Sequence, residues 1–237
     1  MIYCFINKSN IIGEKMEDKK YSDFLKLIAI ITMLIDHIGA FLFPEFIILR
    51  IIGRLSFPIF AYFISEGYKH TSNIKRYMGR ILLLGIVSQI PFMLLAETKT
   101  LNICFTFLIS VGIIYFIDTD RPQLALPLLI LGIILPVDYY IYGITLPIIF
   151  YMFKKPYSYL TFAISTFTFA IYNVMHNSSN IYYIFLFAVL TIPLFMLNDK
   201  LPYIKLPKYS LYYFYFGHLV IGLIIKYFLT GISFSLF

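Results

Sequence analysis

Apolar runs separated by short polar breaks fill nearly the whole chain. Taken in order they cover about 24–43, 47–66, 80–96, 103–117, 123–136, 139–153, 159–174, 181–197 and 211–229. The first is close to the ~20 residues a helix needs to cross the hydrocarbon core of a bilayer. The pattern predicts an all-α, polytopic membrane bundle of about nine spans. Several runs are short, and the pair joined at Pro136-Val-Asp138 also reads as a re-entrant pair or one broken helix. Residues 1–22 read as a polar, poorly ordered extension, with Met16 as a second candidate start, and residues 23–237 as a single transmembrane domain. The N-terminal stretch lacks a basic region followed by a small-residue cleavage site, so it does not read as a signal peptide.

Composition agrees with the pattern. The 237 residues are 60% hydrophobic and 13% charged, against about 45–50% and 25% in soluble domains. The formal charge of +7 does not point to nucleic acid, because Lys and Arg of membrane proteins gather on cytoplasmic loops. With a cytoplasmic N-terminus, Lys8, Lys15, Lys19, Lys20, Lys26, Lys69, Lys75, Arg76, Arg80, Arg121, Lys154, Lys155, Lys200, Lys205 and Lys208 all fall on the inner side. The expected location is a bacterial inner membrane, the bacterial source being suggested by heavy use of Ile, Tyr, Phe, Lys and Asn. Asn177-Ser-Ser, a formal glycosylation sequon, is discounted for the same reason. Cys4 and Cys104 show no metal-ligand or redox spacing, and no metal is expected.

The informative departures are ionisable residues inside apolar runs. Asp36 and His37 interrupt the first, and Arg54 the second. An ionisable residue at membrane depth is costly and marks a functional site by default. At ~1.5 Å per residue, His37 lies about 20 Å from the inner boundary, and Arg54 about 10 Å down from the outer one. Asp36, His37 and Arg54 are thus expected in one layer, with Arg50 on the same helix face and Asp138 within reach. A second group belongs to the inner side: Glu66 with His70, the basic turn Lys69, Lys75, Arg76 and Arg80, and His218 about 10 Å inside the last span. The two groups suggest a tunnel, with a basic mouth for an anionic cytosolic ligand and a His–carboxylate–Arg layer beyond it. Plainer readings stand beside this one. Asp36 with Arg54 also reads as a structural ion pair, the basic turn as an ordinary inner loop, and the Tyr-rich 212–216 stretch as an interfacial aromatic belt.

In order, the polar motifs resemble the TraX family of membrane proteins. The stretches that carry the resemblance are Leu25-Lys-Leu-Ile-Ala-Ile-Ile-Thr-Met-Leu-Ile-Asp-His-Ile-Gly39, Leu49-Arg-Ile-Ile-Gly-Arg-Leu-Ser-Phe-Pro-Ile-Phe60 and Glu66-Gly-Tyr-Lys-His70. Asn73-Ile-Lys-Arg-Tyr77 with Arg80, Ser88-Gln-Ile-Pro-Phe92 and Asn102-Ile-Cys-Phe-Thr106 continue it. Asp138-Tyr-Tyr-Ile-Tyr-Gly143 and Tyr213-Phe-Tyr-Phe-Gly-His-Leu219 are looser, the last carrying Phe-Gly-His where the family pattern has Tyr-Pro-His.

The resemblance implies a membrane acyltransferase that takes an acetyl group from cytosolic acetyl-CoA. The acceptor it implies is an amine or hydroxyl, such as a pilin-like N-terminus, another exported peptide, a lipid or a glycan. Under it, Lys69, Lys75, Arg76 and Arg80 hold the coenzyme A phosphates, and His37 is the general base. Asp36 supports His37, and Arg54 either serves the oxyanion or neutralises Asp36. Arg50, Glu66, His70, Asn102, Asp138 and His218 are further candidates. Two rival functions remain: a small transporter in which the same ionisable residues form a proton or substrate path, or a structural partner in a conjugation or secretion assembly.

Overall fold

The computed structural model describes residues 10–176, 180–197 and 200–230. Residues 1–9 of the expected extension and the Asn177-Ser-Ser sequon lie outside the described residues. Among these the chain is helical apart from turns, connections and one isolated bridge between Leu101 and Val137. The helices are α1 (Asn10–Phe41), α2 (Ile47–Gly53), α3 (Ser56–His70), α4 (Ile74–Ala96), α5 (Ile103–Asp118), α6 (Ala125–Ile134), α7 (Tyr140–Met152), α8 (Tyr157–His176), α9 (Thr191–Met196) and α10 (Ser210–Thr230). A 3-10 helix, Asn180–Leu190, leads into α9.

Each expected apolar run is occupied by helix. Four stretches are long and apolar enough to cross a membrane: Asp23–Phe41, Ile47–His70, Ile74–Ala96 and Ser210–Leu229. The others are shorter or less apolar. The stretch at 180–196 differs from an α-helical expectation, since its 3-10 half rises ~2.0 Å per residue. Its 11 plus six residues therefore reach about 30 Å, the thickness of a hydrocarbon core.

Large apolar side chains face outward along these helices. On α4, Leu83, Ile86 and Ile90 are 63%, 56% and 68% exposed, and on α10 Phe228 is 79% exposed. In water such a surface is an aggregation liability, whereas a hydrocarbon solvent covers it without cost. This is a membrane protein.

The helices run alternately between two ends. At one end the backbone N–H of Leu206 donates to Asp23 (3.2 Å), and the hydroxyls of Tyr68 and Tyr151 donate to Asp118 (3.0 and 2.6 Å). At the other end Leu101 pairs with Val137, and the Lys226 ammonium donates to Glu97 (2.7 Å) and to the Leu95 carbonyl (3.0 Å). Lys26, Lys69, Lys75, Arg76, Arg80, Arg121, Lys154, Lys155, Lys200, Lys205 and Lys208 belong to the first end, which is thus strongly basic; Lys99 and Lys226 belong to the second.

Two glycines bring α1 against α2. A Cβ on Gly39 would stand 2.6 Å from that of Leu49, and one on Gly53 would stand 2.2 Å from that of Asp36. Small residues at such positions let helices pack where apolar burial offers no driving force. The contact is made with the backbone-proximal part of Asp36, which has no freedom to move aside. Gly53→Ala should therefore destabilise the protein by about 1–3 kcal/mol, as overpacking does, read as a lower melting temperature in detergent. An unchanged melting temperature would show that α1 and α2 are not in this close contact.

Candidate functional site

The second apolar run is interrupted between α2 and α3, and that interruption positions the central charge. The helical turn at Arg54 and Leu55 is tightened by backbone bonds to Ile51 and Ile52, while the Ser56 hydroxyl donates to the Gly53 carbonyl (2.8 Å). Arg54 is thereby turned inward and is 3% exposed. Its Nη2 donates to Asp36 Oδ1, its Nε to the Arg50 carbonyl (3.2 Å) and its Nη1 to the Tyr139 hydroxyl (3.3 Å). Its guanidinium also lies 4.9 Å from the centre of the Phe185 ring. Arg50 Nη1 donates to Asp36 Oδ2 (2.7 Å) and to the Asp36 carbonyl (3.0 Å). One buried carboxylate thus holds two arginines. The layer expected from depth is present, and Arg50 belongs to it as fully as Arg54.

His37 is not held by Asp36, whose two carboxylate oxygens are taken by the arginines. Its Nδ1 instead lies 2.7 Å from His218 Nε2. Counting from Leu211 separates these histidines by about 10 Å of depth, but Leu211 is not where the segment enters the bundle. The Leu206–Asp23 contact pins the stretch that leads into α10 beside α1. From it His218 is 12 residues along and His37 is 14, so they share a layer.

A cavity of about 610 Å³ runs from the basic end to this layer. Glu66, His70 and Tyr77 line it near the basic end, and Asp36, His37, Asp138 and Tyr139 line its deep part, with aromatic walls such as Phe57, Phe107 and Tyr215 between. The expected tunnel is present in outline. Arg54 is not among the lining residues; it stands behind Tyr139. Lys69, Lys75, Arg76 and Arg80 do not line the cavity either. They stand within about one turn of His70 and Tyr77, which do. Lys69 is tied to Glu66 (2.9 Å) and to the Phe150 carbonyl (3.1 Å), the Arg80 guanidinium lies 5.8 Å from the Tyr77 ring centre, and Lys75 and Arg76 are exposed. His70 also contacts Glu66 (3.3 Å).

Asn102 is away from the cavity lining and acts as a fastener. It donates to the Gly85 carbonyl (2.8 Å) and Gln89 (2.9 Å) and caps α5 by accepting from the Cys104 N–H (3.0 Å). Asp138 is anchored through its backbone, its N–H donating to Leu101 and its carbonyl accepting from Thr106 (3.0 and 2.9 Å), which leaves its side chain at the cavity. Tyr139 was not singled out by the sequence. It stands at a left-handed turn (φ 60°), stacks on Phe57 with ring centres 4.1 Å apart, and meets both Arg54 and the cavity. An aromatic directly after a buried Asp at a helix start is a weak signal for this.

The family model described as TraX protein matches residues 21–226. The chain belongs to the TraX family. It is 39% identical over 97 residues to "Uncharacterized protein RP591" of Rickettsia prowazekii (strain Madrid E), covering 40% of this chain and 37% of that protein. It is 34% identical over 116 residues to "Probable fimbrial assembly protein FimC, serogroup H1" of Dichelobacter nodosus, covering 47% of this chain and 44% of that protein. The chain thus matches less than half the length of each of these relatives. No solved structure matches it.

Proposed function

We propose that this TraX-family protein is an acyltransferase of the bacterial inner membrane, crossing it about nine times with its amino terminus in the cytoplasm. Acetyl-CoA is the donor, and the acceptor is an amine or hydroxyl of an exported peptide, lipid or glycan. The observation that carries the proposal is the cavity that leads from the basic end to the His37–His218 pair beside the Asp36–Arg50–Arg54 cluster. The fimbrial name of one relative favours a pilin-like N-terminus as acceptor.

In this reading Arg76, Arg80, Lys75 and Lys69 take the nucleotide phosphates outside the cavity mouth, and the pantetheine arm enters between the aromatic walls. His37 accepts a proton from the acceptor as its N or O attacks the thioester carbonyl. The Tyr139 hydroxyl, whose oxygen accepts from Arg54, keeps its own proton to donate to the developing oxyanion. Arg54 thereby serves the oxyanion through Tyr139 and Asp36 directly. When the C–S bond breaks, His37 returns the proton to the departing coenzyme A thiolate. An amide or ester and free coenzyme A result, and the enzyme is unchanged.

Binding of labelled acetyl-CoA to the purified protein is the first test. It should be saturable, and charge reversal at Arg76 and Arg80 together should weaken it about 10-fold or more at low salt, because phosphate contacts of this kind are charge-assisted. Transporters or assembly partners need not bind acetyl-CoA at all, and absence of binding would remove the acyltransferase reading. Orientation is tested separately. After Cys4 and Cys104 are removed, a cysteine placed at Lys75 should resist a membrane-impermeant reagent in intact cells and react after permeabilisation. Reaction in intact cells would reverse the topology.

A further inference from the structure

His218 Nδ1 lies 2.8 Å from the carbonyl oxygen of Phe214, one turn back on its own helix. A carbonyl can only accept, so His218 Nδ1 carries a proton. A neutral His218 then has an unprotonated Nε2, and this is the atom 2.7 Å from His37 Nδ1. The rings are inclined by 19° with centres 4.8 Å apart, which sets them edge to edge and nearly coplanar, as an N–H···N bond between imidazoles requires. His37 Nδ1 must therefore be the donor, and the lone pair of His37 is left on Nε2. From these contacts we infer that His218 is a positioning residue. It fixes His37 in the Nδ1–H tautomer, so that Nε2 is the base presented to the cavity.

The relay also holds the charge that forms when His37 acts. On accepting a proton at Nε2, His37 keeps its Nδ1–H on His218 Nε2, and the His218 Nδ1–H remains on the Phe214 carbonyl. The imidazolium is solvated by a fixed acceptor without any proton leaving the pair. In hydrolases a carboxylate commonly does this work, setting tautomer and orientation together. Here Asp36 is committed to two arginines, and a neutral imidazole takes the place. The Phe214 and Tyr215 rings flank His218, with centres 4.7 and 5.7 Å away, and restrict its rotation.

The catalytic consequence rests on the acyltransferase reading, but the tautomer does not, and the test separates them. The full-length protein, labelled with nitrogen-15 in its histidines, is measured by NMR in lipid nanodiscs, with peaks assigned by single substitutions at His37, His70, His176 and His218. His37 should show a protonated Nδ1 and a bare Nε2. In His218→Leu it should redistribute toward the Nε2–H form, with acetyl transfer falling about 10²-fold or more while the KM for acetyl-CoA holds. In His218→Gln, whose amide oxygen can accept from His37, the Nδ1–H form and most of the activity should return. A protonated Nε2 on His37 in the unaltered protein would overturn the inference, as would a tautomer indifferent to His218→Leu. If the tautomers behave as stated but no acetyl is transferred by the unaltered protein, the positioning role stands and the acyltransferase reading falls.

Discussion

His37→Ala should reduce acetyl transfer from acetyl-CoA by about 10²–10⁴-fold, the usual contribution of a positioned general base. The expectation follows from placement. His37 lines the deep part of the cavity, one partner fixes its Nδ1, and the residue before it anchors the charge cluster to the same helix. Acetyl-CoA binding should change little, because the cations assigned to the phosphates lie at the other end of the cavity. The measurement is transfer of labelled acetyl in membranes holding equal amounts of each protein. Turnover within a few-fold of the unaltered protein would remove His37 as the base.

The second large effect concerns stability. Asp36 is 6% exposed and Arg54 is 3% exposed, and Asp36 also accepts from Arg50. Removing one member of a buried ion pair typically costs about 3–5 kcal/mol, because the other is left uncompensated. Asp36→Asn should be the most damaging single change, since it orphans two arginines at membrane depth. Arg54→Gln should cost less, because Arg50 still neutralises the carboxylate. In Asp36→Asn/Arg54→Gln the loss should be smaller than the sum of the two, with recovery incomplete because Arg50 remains. Thermal unfolding in detergent checks this ordering. Strictly additive losses would mean that Asp36 and Arg54 do not interact.

Much of this arrangement is legible from spacing alone. Polar residues at membrane depth are few, and a fixed rise per residue converts position into depth, so Asp36 and Arg54 find one another on paper. Arg50 follows from i, i+4 geometry. The same arithmetic misplaces His218, because depth depends on where the helix enters the bundle, and α10 is joined to α1 five residues before its first apolar position.

Other features need tertiary contacts and leave almost no trace in one sequence. Tyr139 becomes part of the site through a left-handed backbone turn and the approach of Arg54. Asn102 reads as a candidate site residue at the start of an apolar run, yet its hydrogen bonds hold α4 to α5. Gly53 reads as an ordinary small residue until Asp36 is seen pressed against it. The basic turn stands next to the cavity-lining His70 and Tyr77 without lining the cavity itself, and its charge pattern does not reveal that Lys69 is partly spent on Glu66.

The central claim is that the cavity holds an acyl-CoA with its thioester beside His37. An acyl-CoA carrying a small photoreactive diazirine on its acyl chain tests this directly, with the cross-linked peptide mapped by mass spectrometry on the purified protein in nanodiscs. The account predicts labelling of the deep lining, at Met33–His37 of α1 or at Phe57, Phe107 and Tyr139, and its suppression by excess acetyl-CoA. Labelling confined to the outer faces of the helices, or unaffected by acetyl-CoA, would contradict it.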